Sequence, residues 1–200
     1  DNGDSNPGAA GGAVGGGLLD LFAHGYCERQ GDIYNDLGAP PSGLTATGGI
    51  VSDYTSGSDV YRAHVFTSSG TFDVTALGTL GNTVDILAVG SGGGGGFGSN
   101  AGGGGGSGGL RTNLSGHPLS PNESAFPVST SPGSYTVTIG SGGVGAVPTS
   151  NGGNGSNSVF GPGPVTSQGG GGGGGPASAG VNGGSGGGGG TSPGAGPYAG

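Results

Sequence analysis

The sequence predicts a mostly β protein: a small antiparallel, sandwich-like β-structure that supports a bundle of packed polyglycine II helices, with little or no α-helix. Three observations predict it. Gly supplies 60 of the 200 residues, far above the usual ~7%. The glycine is gathered in blocks, 14 of the 20 residues from Gly90 to Gly109 and 18 of the 32 from Gly169 to Gly200, whereas residues 44–89 contain only 6. Between the blocks lie segments with the period-2 alternation of polar and apolar residues that marks β-strands.

In chain order, residues 1–43 read as a linker or attachment segment with one apolar island, Leu18-Leu19-Asp20-Leu21-Phe22, closed by the helix-breaking Pro40-Pro41-Ser42-Gly43. Residues 44–200 form the glycine-rich domain. Val60, Arg62, His64 and Phe66 alternate with Tyr61, Ala63, Val65 and Thr67, giving a strand with two distinct faces. Ser68-Ser69-Gly70 turns, Thr71 to Ala76 alternates again, Leu77 to Asn82 turns, and Thr83 to Val89 reads as a nearly continuous buried strand. Three strands so close together predict an antiparallel meander. Ser134 to Gly140 alternates strictly, and Asn157 to Phe160 makes a further short strand.

Two properties of glycine decide how the blocks are read. Runs such as Gly169 to Gly175 contain no Ser, unlike the mixed Gly/Ser composition of a flexible linker. An extended threefold helix leaves its N–H and C=O groups unpaired within itself. With hydrogen as the only side chain, several such helices can approach until those groups pair with one another. Glycine loses the most freedom on ordering, at the upper end of ~1–2 kcal/mol per residue. Only a cooperative bundle pinned by strands at the ends of its helices offsets that loss, and the strands flank the blocks. No Gly-X-Y period is sustained, so collagen is excluded.

Composition and charge remove other classes. Leu, Ile, Val and Phe together number 35 of 200, under the ~20% below which a chain struggles to bury an ordinary core, which argues against a mixed enzyme core. There is no Lys, the cations are Arg29, Arg62 and Arg111, and ten of the eleven carboxylates precede residue 86. Such a chain cannot neutralise phosphates, so nucleic-acid binding and anionic membranes are disfavoured. No apolar run has the length of a membrane span, and the N-terminus lacks the pattern of a signal peptide. With no Met, the chain reads as a processed product or part of a longer one, and Cys27, the single cysteine, excludes an internal disulfide.

The segments Tyr61-Arg62-Ala63-His64-Val65-Phe66-Thr67-Ser68-Ser69-Gly70-Thr71-Phe72 and Val84 to Gly90, running into Gly92 to Gly96, resemble the glycine-rich domain of bacteriophage tail fibres and adhesins, notably those of cyanophages. Gly133 to Gly143, Asn157 to Phe160 and Gly169 to Gly175 are similar to the second half of that family, in the same order. The match spans roughly residues 44–190. It implies a β-structure carrying packed polyglycine helices whose connecting loops recognise a host surface, in an extracellular virion tail fibre. The implied partners are a bacterial surface receptor, a glycan or outer-membrane protein, and other fibre subunits, further copies of this chain among them.

Catalytic motifs fail on context. Gly90-Ser91-Gly92-Gly93-Gly94-Gly95 matches G-x-G-x-x-G after a strand but has neither the helix nor the later acidic residue that dinucleotide binding requires. Gly105-Gly106-Ser107-Gly108-Gly109 and Gly183-Gly184-Ser185-Gly186-Gly187 match a nucleophile elbow by chance, because no helix follows either serine. No Asp follows Asp85, which excludes calcium-binding glycine repeats, and His24, His64 and His117 have no second ligand at metal spacing. Glu123 is the lone carboxylate of its half, so a glycosidase pair is missing. Asn113, Asn122 and Asn154 open glycosylation sequons that matter only in a secretory host. The expectation is a non-enzymatic protein with no cofactor and no metal.

Recognition is expected in loops. Leu110 to Pro132 is the one long varied loop of the glycine-rich half and reads either as a recognition loop or as a solvated connector. Interface centres favour aromatic and Arg anchors. The candidate receptor contacts are therefore Phe97, Arg111, Asn113, His117, Asn122, Glu123, Phe126 and Tyr198, while Tyr135 and Phe160 belong to strands and are expected in the core. The competing functions are a structural subunit of an extracellular filament and, less favoured because the runs give no repeating three-residue face, an ice-binding protein.

Overall fold

The computed structural model describes residues 42–114, 117, 125–162 and 165–192. The island Leu18 to Phe22 and Cys27 lie outside them. The described residues are mostly β, with antiparallel sheets and no α-helix. The strands are β1 (Thr45–Thr47), β2 (Ile50–Ser56), β3 (Asp59–Val65), β4 (Gly70–Ala76), β5 (Thr83–Val84), β6 (Leu87–Val89), β7 (Leu110–Thr112), β8 (Phe126–Pro127), β9 (Ser134–Thr138), β10 (Ser158–Phe160) and β11 (Val165–Ser167).

One antiparallel sheet has the order β1-β4-β9-β10-β11. Its core follows from alternation. Phe72 and Val74 of β4 and Tyr135 and Val137 of β9 point to one face, with Phe72 paired across to Tyr135. They bury together with Val128, and Leu44, Phe66, Phe126, Ile139 and Phe160 close around them. Tyr135 stacks on Phe160 with ring centroids 5.9 Å apart, and Phe126 meets Phe160 edge-on at 5.1 Å. The Tyr135 hydroxyl accepts a hydrogen bond from the Ser129 N–H at 2.7 Å, which satisfies its polar end. Tyr135 and Phe160 thus sit where alternation puts them.

The expected meander is corrected. β3 pairs with β2 and not with β4, β4 lies between β1 and β9, and β5 and β6 pair with β8 and β7. The expected single strand Thr83 to Val89 breaks in two at Asp85–Ile86. The cause is Asn113, which is buried: its Oδ1 accepts from the Ile86 N–H at 2.6 Å and its Nδ2 donates to the Val84 carbonyl at 2.8 Å. Leu87 and Val89 consequently face solvent and are 65% and 55% exposed.

The hairpin β2–β3 turns through Gly57, whose φ of 63° is the left-handed value a two-residue loop requires. Its faces follow the period-2 reading. Asp53 opposes Arg62 and Tyr54 opposes Tyr61. The Arg62 Nε and Nη2 donate to the two Asp53 carboxylate oxygens at 2.7 and 2.8 Å, and the tyrosine rings stack at 5.3 Å.

The glycine blocks form extended segments that leave and re-enter the strands: g1 (90–98) after β6, g2 (101–109) before β7, g3 (140–147) after β9, g4 (150–157) before β10, g5 (168–175) after β11, then g6 (178–184) and g7 (185–191). Their mutual hydrogen bonds recur at every third residue. In g5, the N–H groups of Gly170 and Gly173 donate to g1, those of Gly171 and Gly174 to g7, and those of Gly169, Gly172 and Gly175 to the side-chain oxygens of Asn157, Asn154 and Asn151. Its carbonyls are shared just as regularly. Gln168, Gly171 and Gly174 accept from g2, Gly170 and Gly173 from g4, and Gly169, Gly172 and Gly175 from g6. Every residue from Gly169 to Gly175 is buried, and every N–H and C=O among them is paired. A β-strand pairs with two neighbours; g5 is hydrogen-bonded to g1, g2, g4, g6 and g7.

Candidate functional site

The strands stand at one end of the bundle, because β6, β7, β9, β10 and β11 all run directly into glycine segments. Ser167, fully buried where β11 meets the bundle, shows how that end is fastened: its Oγ accepts from the Gly90 N–H at 3.0 Å and donates to the Gly109 carbonyl. The tight turns 98–101, 147–150 and 175–178 therefore collect at the opposite end. A ring of bonds joins them. The Phe97 N–H donates to the Ser150 carbonyl at 3.1 Å, Gly175 to the Asn151 Oδ1 at 2.7 Å, Gly190 to Ser178 at 2.9 Å and Thr191 to Ala101 at 3.0 Å.

This turn end is chemically distinct from the bundle beneath it. It carries Phe97, 47% exposed, and Val147, 68% exposed. Thr149 and Ala177 have φ of 64° and 54°, a left-handed conformation that costs an L-residue of order 1 kcal/mol or more. They are the non-glycine residues with positive φ among the described residues, and both lie here. The Thr149 and Ser150 hydroxyls donate to the Pro148 and Val147 carbonyls, fixing the 147–150 turn. Among the described residues no three His, Cys, Asp or Glu side chains converge as metal ligands. What the turn end offers is a rim of small, hydrogen-bonded turns with apolar tips.

The sequence candidates separate. Phe97 lies at the turn end. Arg111, exposed on β7 opposite Ala88, and His117, half-buried with its backbone N–H donating to the Leu114 carbonyl, lie at the strand end. The two groups are divided by the length of g1, roughly 25 Å for an extended run of nine residues. Asn113 and Phe126 are corrected as surface contacts. The first is 6% exposed and holds the bend between β5 and β6, and the second packs on Tyr135 and Phe160 because β8 draws it under the sheet. Asn122, Glu123 and Tyr198 lie outside the described residues. Val147, Thr149 and Ala177 were missed, although Val-Pro-Thr-Ser and Pro-Ala-Ser interrupting glycine segments are turn signals in their own right.

Fold and rim define a class: a glycine-built scaffold, without α-helix among its described residues, with strands at one end and short turns at the other. The chain belongs to the family of the glycine-rich domain, whose model matches residues 67–200. Among curated proteins and among solved structures, no significant match to the chain was found.

Proposed function

We propose that the glycine segments are polyglycine II-type helices and that the chain is a non-enzymatic component of a phage tail fibre or adhesin, displaying its turns to a bacterial surface. The observation that carries this reading is the turn end. Two strained non-glycine residues and an exposed Phe sit on a scaffold whose central backbone is fully hydrogen-bonded. Strain of this kind persists where the surroundings over-determine it, and it clusters at sites that bind. Rigid display also favours affinity, because turns held in place lose little entropy on binding. The receptor is a surface glycan or an outer-membrane protein. Phe97 supplies the aromatic anchor that interface centres favour, with Val147 and Thr149 beside it. Arg111 and His117, at the other end, belong to the junction with whatever carries the domain.

The test is binding of the fluorescently labelled chain to intact bacteria. Phe97→Ser and a swap of residues 147–149 for Gly-Gly-Ser are expected to lower cell binding at least tenfold without altering folding, while a Gly/Ser replacement of residues 115–124 leaves it unchanged. Loss confined to the 115–124 variant would move recognition to the strand end. Parental binding in every variant would move recognition elsewhere on the chain, and a parent that does not bind cells would favour the filament reading, in which the chain contacts only other copies.

A further inference from the structure

The two sides of the bundle are finished differently. On the g4 side, Asn151, Asn154 and Asn157 stand three residues apart and cap the third row of g5 N–H groups with their side chains. On the opposite side g3, g1 and g2 lie next to one another. Gly143 and Ala146 of g3 donate to Gly92 and Gly95 of g1, and Gly90, Gly93 and Gly96 of g1 donate to Gly109, Gly106 and Gly103 of g2. Segments g4 and g5 cover this row from within, since Gly94 donates to Gly153 while Gly170 and Gly173 donate to Ser91 and Gly94. Among the described residues, nothing covers it from outside. Gly92, Gly95, Gly104, Gly142 and Gly145 are all exposed. A Cβ on Gly92 or Gly95 would find its nearest atom at 3.8 Å, one on Gly142 at 3.9 Å, and one on Gly104 or Gly145 nothing within 4 Å.

We infer that this glycine face binds the same face of a second copy. Backbone groups hydrogen-bond at about 2.9 Å, so a partner can use the outward N–H groups of Gly92 and Gly95 only if its own surface carries no side chains there. Another copy of the face meets that condition, and the inner packing of g1 against g5 shows the contact it would repeat. Charge does not oppose it, because residues 86–200 contain only Arg111 and Glu123 as charged groups. A face matched to itself gives an isologous, closed pair. Three segments about 5 Å apart and about 25 Å long present roughly 350 Å² per copy. That is below the ~800 Å² per partner of a standard interface, so the pair is weak and concentration-dependent. The inference does not depend on the receptor.

Sedimentation velocity over a concentration series tests it, using the whole chain, Gly95→Glu, Gly145→Glu and, on the remote hairpin, Val60→Glu. The parent and Val60→Glu are expected to shift from monomer to dimer as concentration rises, while the two glycine variants stay monomeric at tenfold higher concentration. Because a Cβ on Gly145 meets nothing within 4 Å and one on Gly95 only an ordinary contact at 3.8 Å, their variants should melt with the parent. Should either misfold, amide exchange of the parent decides: the Gly92 and Gly95 N–H groups slow with concentration and those of Gly169 to Gly175 do not change. A parent monomeric up to about 1 mM, glycine variants that associate like the parent, a monomeric Val60→Glu, or concentration-independent exchange at Gly92 and Gly95 would overturn it.

Discussion

A Cβ added to Gly172 would lie 2.0 Å from the Gly152 carbonyl oxygen and 2.6 Å from its carbon. Neither atom can retreat, because Gly152 is itself hydrogen-bonded to Gly173. Gly172→Val is therefore expected to destabilise by at least the ~1–3 kcal/mol of ordinary overpacking, whereas Gly145→Ala, with nothing within 4 Å, should melt with the parent. Asn154→Ala probes the same residue from its other side. It removes the oxygen that accepts the Gly172 N–H at 2.8 Å and leaves a buried donor unpaired, a loss of about 1–3 kcal/mol. Thermal melts of the three variants check the order, and an Asn154→Ala variant as stable as the parent would mean that water replaces the amide. The spacing Asn151-x-x-Asn154-x-x-Asn157 is plain in the sequence, but its meaning was not, because the row it caps belongs to a segment eighteen residues further along. Asn113 was illegible for the same reason: its partners at Val84 and Ile86 are 29 and 27 residues away.

Elements were legible where one face is buried. In β4 and β9 the alternation of Phe72 and Val74, and of Tyr135 and Val137, records directly which face meets the core. β2 escaped notice because both of its faces are exposed along all of Ile50–Ser56, so burial imposes no pattern on it. Pairing was less legible than strand identity, since β4 finds β9 across an insertion that includes g1 and g2. The hairpin β2–β3 then has to be held by its cross-strand pairs, as an isolated two-stranded ribbon is marginal in water. The hydrogen bonds from Arg62, reinforced by its charge, hold the Asp53 carboxyl below the usual carboxylate range. A carboxylate with a lowered folded-state pKa contributes stability above its unfolded pKa, near 3.9, and that contribution is lost as pH falls through the folded value. Acidification below about pH 4 should therefore loosen the hairpin before the five-stranded sheet. The check is the chemical shift of the stacked Tyr54 and Tyr61 rings against that of Phe72. A hairpin in Asp53→Asn that loosens over the same pH range as the parent would assign the effect to another group.

At the scale of the whole molecule, stability should grade by hydrogen-bond completeness more than by apolar burial. The apolar core is small, five buried side chains in its central cluster, and it sits under the sheet, outside the glycine bundle. The bundle has almost no side chains to bury, so its cohesion rests on backbone pairing, which is complete only around g5. Local opening draws first on segments with solvent-exposed backbone bonds and few partners. Amide exchange should accordingly be slowest at Gly169 to Gly175, intermediate at Gly93 and Gly96, which are paired but only half-buried, and fastest at Gly104 and Gly145. The strands matter to this order because β11 pins the start of g5 through Ser167 and Gln168, while Asn151 holds its far end at Gly175, so closing the run costs little added loop entropy. Ser167→Ala tests that coupling. It removes the hydroxyl that links Gly90 to Gly109, and faster exchange should spread from Gly90 and Gly109 into g1 and g2 before it reaches g5. Uniform, coil-like exchange across all the glycine segments of the parent would sink the packed bundle altogether. Uniform slowing down to Gly104 and Gly145 would instead mean that a further layer covers the outer row.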